Sequence, residues 1–467
     1  MRARLSYLLL PLLAMGCAVG PNYKRPVVQA PAQYRGAASG GTAVSLADAK
    51  WFDLFQDETL KQLVTTALEQ NFDLGIASER VLEARARFRI SQAAQFPLLG
   101  VQGQFNVSRS SSAGANTGVK PGTPLDVSYT QAGVALSWEL DFWGRVRRLK
   151  ESARAQYLAT EEGRRGVIVS LIGDVAGGYL SLRESDLELD IAGRTRDIAA
   201  QNLKLVQLRH DRGAATGLDV SQAEQFLYTA TAQIASTQRD IDQSENALSL
   251  LLGRVPGEIA RGKTLDQFVF PAEVPPGLPS SLLERRPDIR QAEETLIAAN
   301  AQIGAAKALY FPQISLSGFI GGESRALSDL FTAPARDWFG GPSAALLLPI
   351  FQAGQLRAGV RLSEAQKREM VLTYQKTIYS AFREVSDALS GYDHTRQQRT
   401  QEELLVNALT ETNRLSTLRY QGGLVSYLQV LDAERNLFQG QLALAKLRLQ
   451  ETLGFVQIYR ALGGGWQ

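Results

Sequence analysis

Apolar side chains in the first half of the chain follow a helical period over a long stretch. Between Ile168 and Val206 they recur at alternating steps of three and four residues, the heptad spacing of a helix packed along a coiled-coil seam. If residues 144–209 form one helix, it is roughly 100 Å long at about 1.5 Å per residue, and no compact domain contains such a helix. The seam positions are Ile168, Leu171, Val175, Gly178, Leu182, Ser185, Leu189, Ala192, Arg196, Ala199, Leu203 and Val206.

The prolines mark where such long helices can run. None falls between residues 125 and 255, and none follows Pro349. Because a proline in a helix interior costs about 3 kcal/mol, both stretches predict long helices without a break.

Four other segments alternate with a period of two, and they lie at residues 101–108, 131–140, 314–320 and 343–350. About ten residues suffice for a tilted strand to cross a hydrocarbon core, and one apolar face opposite a small or polar face is typical of a membrane barrel strand. Aromatic residues gather where these strands meet the predicted helices, as expected near lipid headgroups. These residues are Phe96, Trp138, Phe142, Trp143, Phe311 and Phe351. Judged from the strand pattern alone, two hairpins packed on water-soluble helices explain the sequence as well as membrane barrel strands do.

The two halves of the chain are copies of each other. A shift of 210 residues aligns residues 208–224 with 418–434 at seven identical positions, where average composition gives roughly one. Each half is predicted as helix, strand, loop, strand, long helix, turn, long helix. We therefore predict a first structural repeat at residues 51–265, a linker at 266–286 and a second repeat at 287–467.

Residues 1–16 have the character of a secretory signal, because Arg2 and Arg4 precede a short apolar run and several small residues. The only cysteine of the chain, Cys17, follows at once and resembles the lipidated cysteine of bacterial lipoproteins. That resemblance implies cleavage before Cys17, a diacylglycerol on its thiol and an acylated amino end. A plain signal peptide with an incidental cysteine is the alternative.

Residues 17–50 are rich in Ala, Gly, Pro and Ser and predict an extended tether with no core of its own. Ala18 stands where an Asp would resemble an inner-membrane retention signal, which favours the outer membrane.

Composition excludes several classes of protein. The chain has 467 residues and a formal net charge of +3, so it carries no electrostatic footprint for nucleic acid. One cysteine and two histidines argue against a disulfide framework and a zinc site. No phosphate loop, nucleophile elbow or metal-ligand spacing occurs, so we expect no enzyme and no cofactor beyond the lipid on Cys17. No run of eighteen apolar residues follows residue 20, so no transmembrane helix is predicted.

Four strands pose a closure problem if they enter a membrane. About eight strands is the smallest number that closes a barrel, and an unpaired strand edge is not tolerated in lipid. Several identical chains must then share one barrel.

Several local stretches identify a family. They are CAVGPNYKRP at 17–26, WELDFWG at 138–144, SLLERRPD at 281–288 and ALGGGW at 461–466. With these, essentially the whole mature chain resembles the outer-membrane efflux proteins of TolC type, in the lipoprotein branch typified by OprM. The resemblance implies a mainly α fold with a β-barrel portion. Each subunit of a homotrimer gives four strands to a twelve-stranded outer-membrane barrel, and long coiled helices form a periplasmic tunnel.

The function implied by the resemblance is that of the outer-membrane channel in a tripartite efflux or export system. The resemblance further implies that the channel docks onto a periplasmic adaptor and an inner-membrane pump, and that it passes drugs, other small molecules or proteins to the outside. The alternative is a lipid-anchored periplasmic coiled-coil adaptor or structural protein that does not span the membrane.

The resemblance also implies a periplasmic gate where the long helices turn, at residues 209–224 and 419–434. The gate motif of the family falls on Tyr420, Leu428 and Asp432 of the second half and on Asp219 of the first. A ring of Leu428 would constrict the tunnel, and a ring of Asp432 would attract cations.

The sequence departs from TolC at two gate positions and leaves one role open. Val425 and Gln429 stand where TolC has an Arg and an Asp, which favours an apolar constriction over an arginine-mediated lock. Residues 216–219 and 426–429 both have the spacing of a helix capping box. Asp219 acting only as a helix cap is therefore an alternative to a gating role.

Overall fold

The computed structural model describes residues 18–35, 45–48, 50–109, 126–268, 274–332 and 337–465. Cys17 and the predicted signal peptide lie outside these residues. The described helices are α1 (Trp51–Leu54), α2 (Glu58–Gln70), α3 (Phe72–Ala93), α4 (Arg145–Asp211), α5 (Gly217–Leu251), α6 (Leu282–Arg285), α7 (Pro287–Ala308), α8 (Gln355–Gln421) and α9 (Tyr427–Ala461). The described strands are β1 (Leu98–Arg109), β2 (Asp126–Leu140), β3 (Gln313–Ser324) and β4 (Asp337–Leu347).

The order of elements predicted for each half is confirmed. The one break inside a predicted helix falls at Asn71, between α2 and α3. The Asn71 side chain accepts a hydrogen bond from the backbone of Leu74 at 3.0 Å and donates one to the carbonyl of Leu251 at 2.9 Å. A side chain that bonds the backbone in this way ends one helix and starts the next.

The long helix α4 confirms the heptad prediction, with 67 residues in one piece. Most seam positions lie toward the interior, and Arg196 is the one that is exposed. The fully buried seam positions are Leu171, Val175, Leu182, Ser185, Ala192, Ala199 and Val206.

By length and composition alone, α4 also contains one stretch apolar enough to cross a membrane, with a mean hydropathy of 1.2 and 44% of the stretch buried. The prediction of no transmembrane helix did not anticipate it. The same helix carries Asp174, which pairs with Arg460 at 3.3 Å. Packing of the seam against neighbouring helices accounts for its apolar composition.

The four strands form one antiparallel sheet in the order β1-β2-β3-β4. Val101 lies opposite Val134, and Trp138 lies opposite Leu316. Large apolar side chains of the strands face outward from the protein, and Val101 is 87% exposed. This sheet therefore presents an apolar surface that the described residues leave exposed.

The fourth strand is present, but the bounds predicted for it, 343–350, are wrong. It begins at Asp337 and ends at Leu347. Pro342 lies opposite Gly318, and Gly340 has a φ of +134°. Because β4 is an edge strand of this sheet, proline and glycine can join the ladder although their composition is typical of a loop.

Contacts divide the chain into two compact units. The first contains residues up to 26, 82–159 and 293–373, and the second contains 27–81, 160–292 and 374–467. Each unit draws on both halves of the sequence, so the sequence repeats and the spatial units are different divisions of the chain. The boundaries of the predicted repeats and linker remain predictions.

Within the first unit, the start of the predicted tether has no helix or strand and is hydrogen-bonded to neighbouring elements. The Val19 amide donates to the carbonyl of Trp143 at 3.0 Å. Arg148 donates to the backbone carbonyl of Val19 and to the Asn22 side chain, at 3.3 and 2.8 Å. Gly20 packs so closely on Gly304 that a Cβ at residue 20 would lie 2.4 Å from the Gly304 Cα. Backbone hydrogen bonding and glycine contacts hold this segment without secondary structure.

The predicted aromatic group near the strand ends is partly assembled in the same unit. The rings of Trp143 and Phe311 stack with centroids 4.7 Å apart. The indole nitrogen of Trp143 donates to the Pro312 carbonyl at 2.8 Å, and that of Trp138 donates to the Gln95 carbonyl at 3.1 Å. Tryptophans with a satisfied N–H and an apolar ring suit a membrane interface.

Candidate functional site

The first turn of the predicted gate joins α4 to α5 through residues 212–216, in the second unit. Gly213 takes a positive φ of 72°. Its amide donates to the His210 carbonyl at 2.8 Å, and the amide of Ala214 donates to the Arg209 carbonyl at 2.7 Å. A glycine in this conformation after the last helical turn is a common way to satisfy the final carbonyls of a helix.

Asp219 closes the other side of this first turn. Its carboxylate accepts from the Thr216 amide at 2.8 Å, and its amide donates to the Thr216 hydroxyl at 3.2 Å. This is the capping box that the spacing predicted. The first turn is thus held by groups within itself, and a gating role for Asp219 remains a prediction.

The second turn joins α8 to α9 through residues 422–426 and has the same backbone arrangement. Gly423 has a φ of 74°, and its amide donates to the Tyr420 carbonyl at 2.9 Å. The capping box predicted for residues 426–429 is wrong, because Ser426 makes no side-chain cap hydrogen bond. The ring of Tyr427 instead packs into the interior at the start of α9 and is only 3% exposed.

Both turns border one apolar cluster, which we call the tip core. The rings of Tyr420 and Tyr427 are 5.5 Å apart, and Phe226 meets Phe438 edge-on at 6.4 Å. Val425 packs against the cluster, so this departure from TolC contributes apolar contact. The tip core consists of Ile191, Ala192, Ala199, Val206, Ala223, Phe226, Tyr420, Tyr427, Val430, Leu431, Phe438, Leu442 and Ala445. Burial, followed by the charge of Glu434, raises the pKa of Tyr427.

Arg209, a residue that the sequence analysis did not select, joins the two turns. Its guanidinium donates from Nη1 to the Tyr420 carbonyl and from Nη2 to the Gln421 carbonyl, both at 3.2 Å. Its Cζ also lies 4.4 Å from the centroid of the Tyr420 ring. An arginine does lie between the turns, although not at the position where TolC has one.

Two further polar contacts connect the hairpins below the turns. The Glu434 carboxylate accepts from the Asn202 side-chain amide, and Arg435 donates to Gln225 at 3.0 Å. The second carboxylate oxygen of Glu434 is buried and has no partner among the described residues. Burial raises the pKa of Glu434 to about 7, against a smaller opposing effect of the Asn202 hydrogen bond.

Leu428, predicted to constrict the tunnel, and Asp432, predicted to attract cations, lie outside the tip core. Leu428 is 55% exposed. The exposed carboxylate of Asp432 accepts from the Asn436 side chain at 3.2 Å. A spacing of four places both on one face of α9. In the part of the chain that the structure describes, no hydrogen bond or ion pair joins Asp219 to Tyr420, Leu428 or Asp432.

The described residues contain no cluster of three or more His, Cys, Asp or Glu side chains that could hold a metal. The described site consists of helix turns, apolar packing and side-chain hydrogen bonds.

These features define a class of protein. A sheet of strands with uncovered apolar faces, continued by paired helices of 67 and 35 residues, belongs to a subunit of an outer-membrane channel. The family model described as outer membrane efflux protein matches residues 63–254 and 278–464. The chain belongs to this family.

Individual relatives agree over nearly the full length. The chain is 40% identical to the solvent efflux pump outer membrane protein SrpC of Pseudomonas putida, over 98% of both chains. It is 35% identical to the cation efflux system protein CusC of Escherichia coli, over 98% of this chain and 97% of the relative. Among solved structures, the open state of the MtrE outer-membrane channel of Neisseria gonorrhoeae matches with a TM-score of 0.84, at 30% identity over 97% of this chain and 99% of that one.

The chain is therefore an outer-membrane efflux channel with a large periplasmic helical part, and its family is one of transporters. This excludes the alternative of a periplasmic adaptor that does not span the membrane.

Proposed function

We propose that three copies of this chain form one channel, with a twelve-stranded barrel in the outer membrane, which carries substrates delivered by an inner-membrane pump and a periplasmic adaptor. The observation that carries the proposal is the four-stranded sheet, whose apolar surface faces outward and whose edge strands β1 and β4 lack a second neighbour in the sheet. Open strand edges in lipid leave backbone groups without hydrogen bonds, so the edges need partners from other chains.

Purified protein tests the proposed assembly directly. A heat-modifiable trimer that resists extraction by high salt, and that forms discrete channels in planar lipid bilayers, is expected. A monomer released by salt that does not conduct would contradict the proposal.

We propose further that Cys17 carries the lipid anchor. Ala18, which follows it, lies so close to Gly144 that a Cβ at residue 144 would be 2.8 Å from the Ala18 Cα. The amide of Val19 donates a hydrogen bond to the carbonyl of Trp143, and the ring of Trp143 stacks on Phe311. Ala18 and Val19 therefore lie beside the interfacial aromatic residues, which supports an acyl anchor on the residue that precedes them in the sequence.

Metabolic labelling with palmitate tests the anchor. The wild-type chain should take up label, and Cys17→Ser should not. An equally labelled Cys17→Ser protein would exclude this residue as the anchor.

The gate is proposed to be constricted by Leu428 and made cation-attracting by Asp432. Two observations support this proposal. The side chains of Leu428 and Asp432 are exposed on one face of α9, and they lie next to the tip core, against which both turns pack. Three carboxylates close to one axis raise the local concentration of cations. Asp432→Ala should raise single-channel conductance and lower the cation preference severalfold, whereas Gln222→Ala, at the equivalent position of the first half, should do neither. Unchanged bilayer recordings for Asp432→Ala would exclude the assignment.

The transported compounds are proposed to be small toxic molecules, antibiotics among them. The support comes from relatives whose names specify solvents, cations and antibiotics. Deleting the gene and measuring susceptibility to a panel of solvents, metals and antibiotics tests the class. Unchanged susceptibility across the panel would contradict it.

A further inference from the structure

The two turns at the tip are held by different means. The first turn closes on itself through the Thr216–Asp219 capping box. The second lacks a side-chain cap at Ser426, and its polar contacts to the rest of the tip come from the first hairpin. Beyond its own backbone hydrogen bonds, the second turn is therefore held by side chains from the first hairpin.

Arg209 occupies the point where α8 ends. The last carbonyls of a helix have no partner inside the helix and carry the negative end of its dipole, so a cation is stabilised there. The carbonyls of Tyr420 and Gln421 are two of these, and the planar guanidinium reaches both at once. Its position over the Tyr420 ring adds a cation–π contact.

The sequence repeat supplies an internal comparison. A shift of 210 residues places Arg419 at the position equivalent to Arg209. The Arg419 side chain is exposed and makes no hydrogen bond or ion pair with any described residue. Arginine at the same place in the hairpin thus donates hydrogen bonds in one repeat and is exposed to solvent in the other. The contacts of Arg209 therefore depend on how the two hairpins pack.

We propose that Arg209 is a latch, a positioning residue that holds the α8–α9 turn against the α4–α5 turn and so keeps the periplasmic gate closed. This rests on the proposed gate. The latch uses neutral carbonyls and a ring as acceptors, so it replaces an arginine–carboxylate lock without needing an acidic residue at position 429. Opening requires the guanidinium to leave the end of α8, which frees the turn that precedes Leu428 and Asp432.

The test measures gate opening and turn mobility in the full-length channel. Arg209→Ala should raise the ratio of open to closed channels in planar bilayers by at least about tenfold, equivalent to about 1.4 kcal/mol. In hydrogen exchange, the amides of Gly423 and Leu424 should exchange about tenfold faster, and those of Gly213 and Ala214 should not change. Arg419→Ala is the matched control and should equal the wild type in both measurements.

Arg209→Lys is a second variant, to be used if Arg209→Ala does not assemble into channels. Lysine keeps the charge at the end of α8 but loses the paired donors and the planar face, so it should open the gate to an intermediate degree. If Arg209→Ala and Arg209→Lys both show the wild-type ratio of open to closed channels and wild-type amide exchange, the proposed latch is wrong. A change of ion preference in Asp432→Ala would still support the proposed channel. If the wild type itself does not conduct, the proposed channel fails, and exchange at Gly423 and Leu424 still decides whether Arg209 holds the turn.

Discussion

The turns after α4 and α8 have nearly the same backbone and arise from duplicated sequence, yet they are stabilised at different levels of structure. Gly213 and Gly423 end their helices in the same way, with φ of 72° and 74°. The first turn then depends on a local capping box, whereas the second depends on burial and on contacts from the opposite hairpin. Two turns with the same backbone can thus differ in that only one has a capping box of its own.

The difference follows from substitutions at equivalent positions. Asp219 can complete a capping box, while the equivalent Gln429 is exposed and does not. Gly217 has no side chain to bury, while the equivalent Tyr427 packs into the tip core. A turn that is held from outside can be released without unfolding its own helices, which suits the moving part of a gate.

The largest expected effect comes from removing the buried ring of the second turn. Tyr427→Ala should destabilise the tip by about 3–5 kcal/mol, the usual cost of replacing a buried aromatic side chain with alanine. The matched change in the first turn, Gly217→Ala, should be nearly neutral, because a Cβ there meets nothing within 4 Å. Thermal unfolding of the solubilised channel measures both, and equal losses would contradict the contrast between the turns.

A second effect depends on pH and acts through Glu434, which is 5% exposed. The folded protein holds its proton up to a pKa of about 7, against a value of 4.5 for the free side chain. Between these values the folded state binds a proton that the unfolded state has released, so stability falls as pH rises through this window. Glu434→Gln keeps the acceptor for Asn202 and removes the ionisation.

Glu434→Gln should therefore be more stable than the wild type at pH 8, by about 3 kcal/mol at most, with the difference vanishing toward pH 4.5. Melting temperatures at several pH values test this prediction. Glu224→Gln, at the equivalent position of the first hairpin, is the control and should show no such pH-dependent gain. A Glu434→Gln variant that is less stable at pH 8 would show that the carboxylate is needed in its ionised form.

The smallest effects concern the caps. Thr216→Ala should cost about 1 kcal/mol, because it removes the hydroxyl that caps α5. Ser426→Ala should change stability by less than about 0.5 kcal/mol, because Ser426 makes no cap hydrogen bond. Hydrogen-exchange rates of the amides at the start of α5 and α9 measure the two effects separately. A larger effect of Ser426→Ala than of Thr216→Ala would contradict the prediction.

Much of the fold could be predicted from local pattern. The heptad spacing anticipated α4 because burial along one helix face repeats with the helix period. The start of β4 could not be found in this way, because Gly340 and Pro342 have loop character and join the sheet only through pairing with β3. Near the proposed gate, the spacing at 216–219 predicted a capping box that the structure contains, and the equivalent spacing at 426–429 predicted one that it does not.

By itself, the sequence determined the long helices, the four strands, the duplication and the family, since each depends on periodicity or on residues close together in the chain. Only the tertiary structure decided that Arg209 is engaged while Arg419 is not. It also decided that Glu434 is buried against Asn202. The physical reason is that these contacts join residues more than two hundred positions apart. Their strength depends on desolvation and on the approach of one helix end to another, which no local spacing encodes.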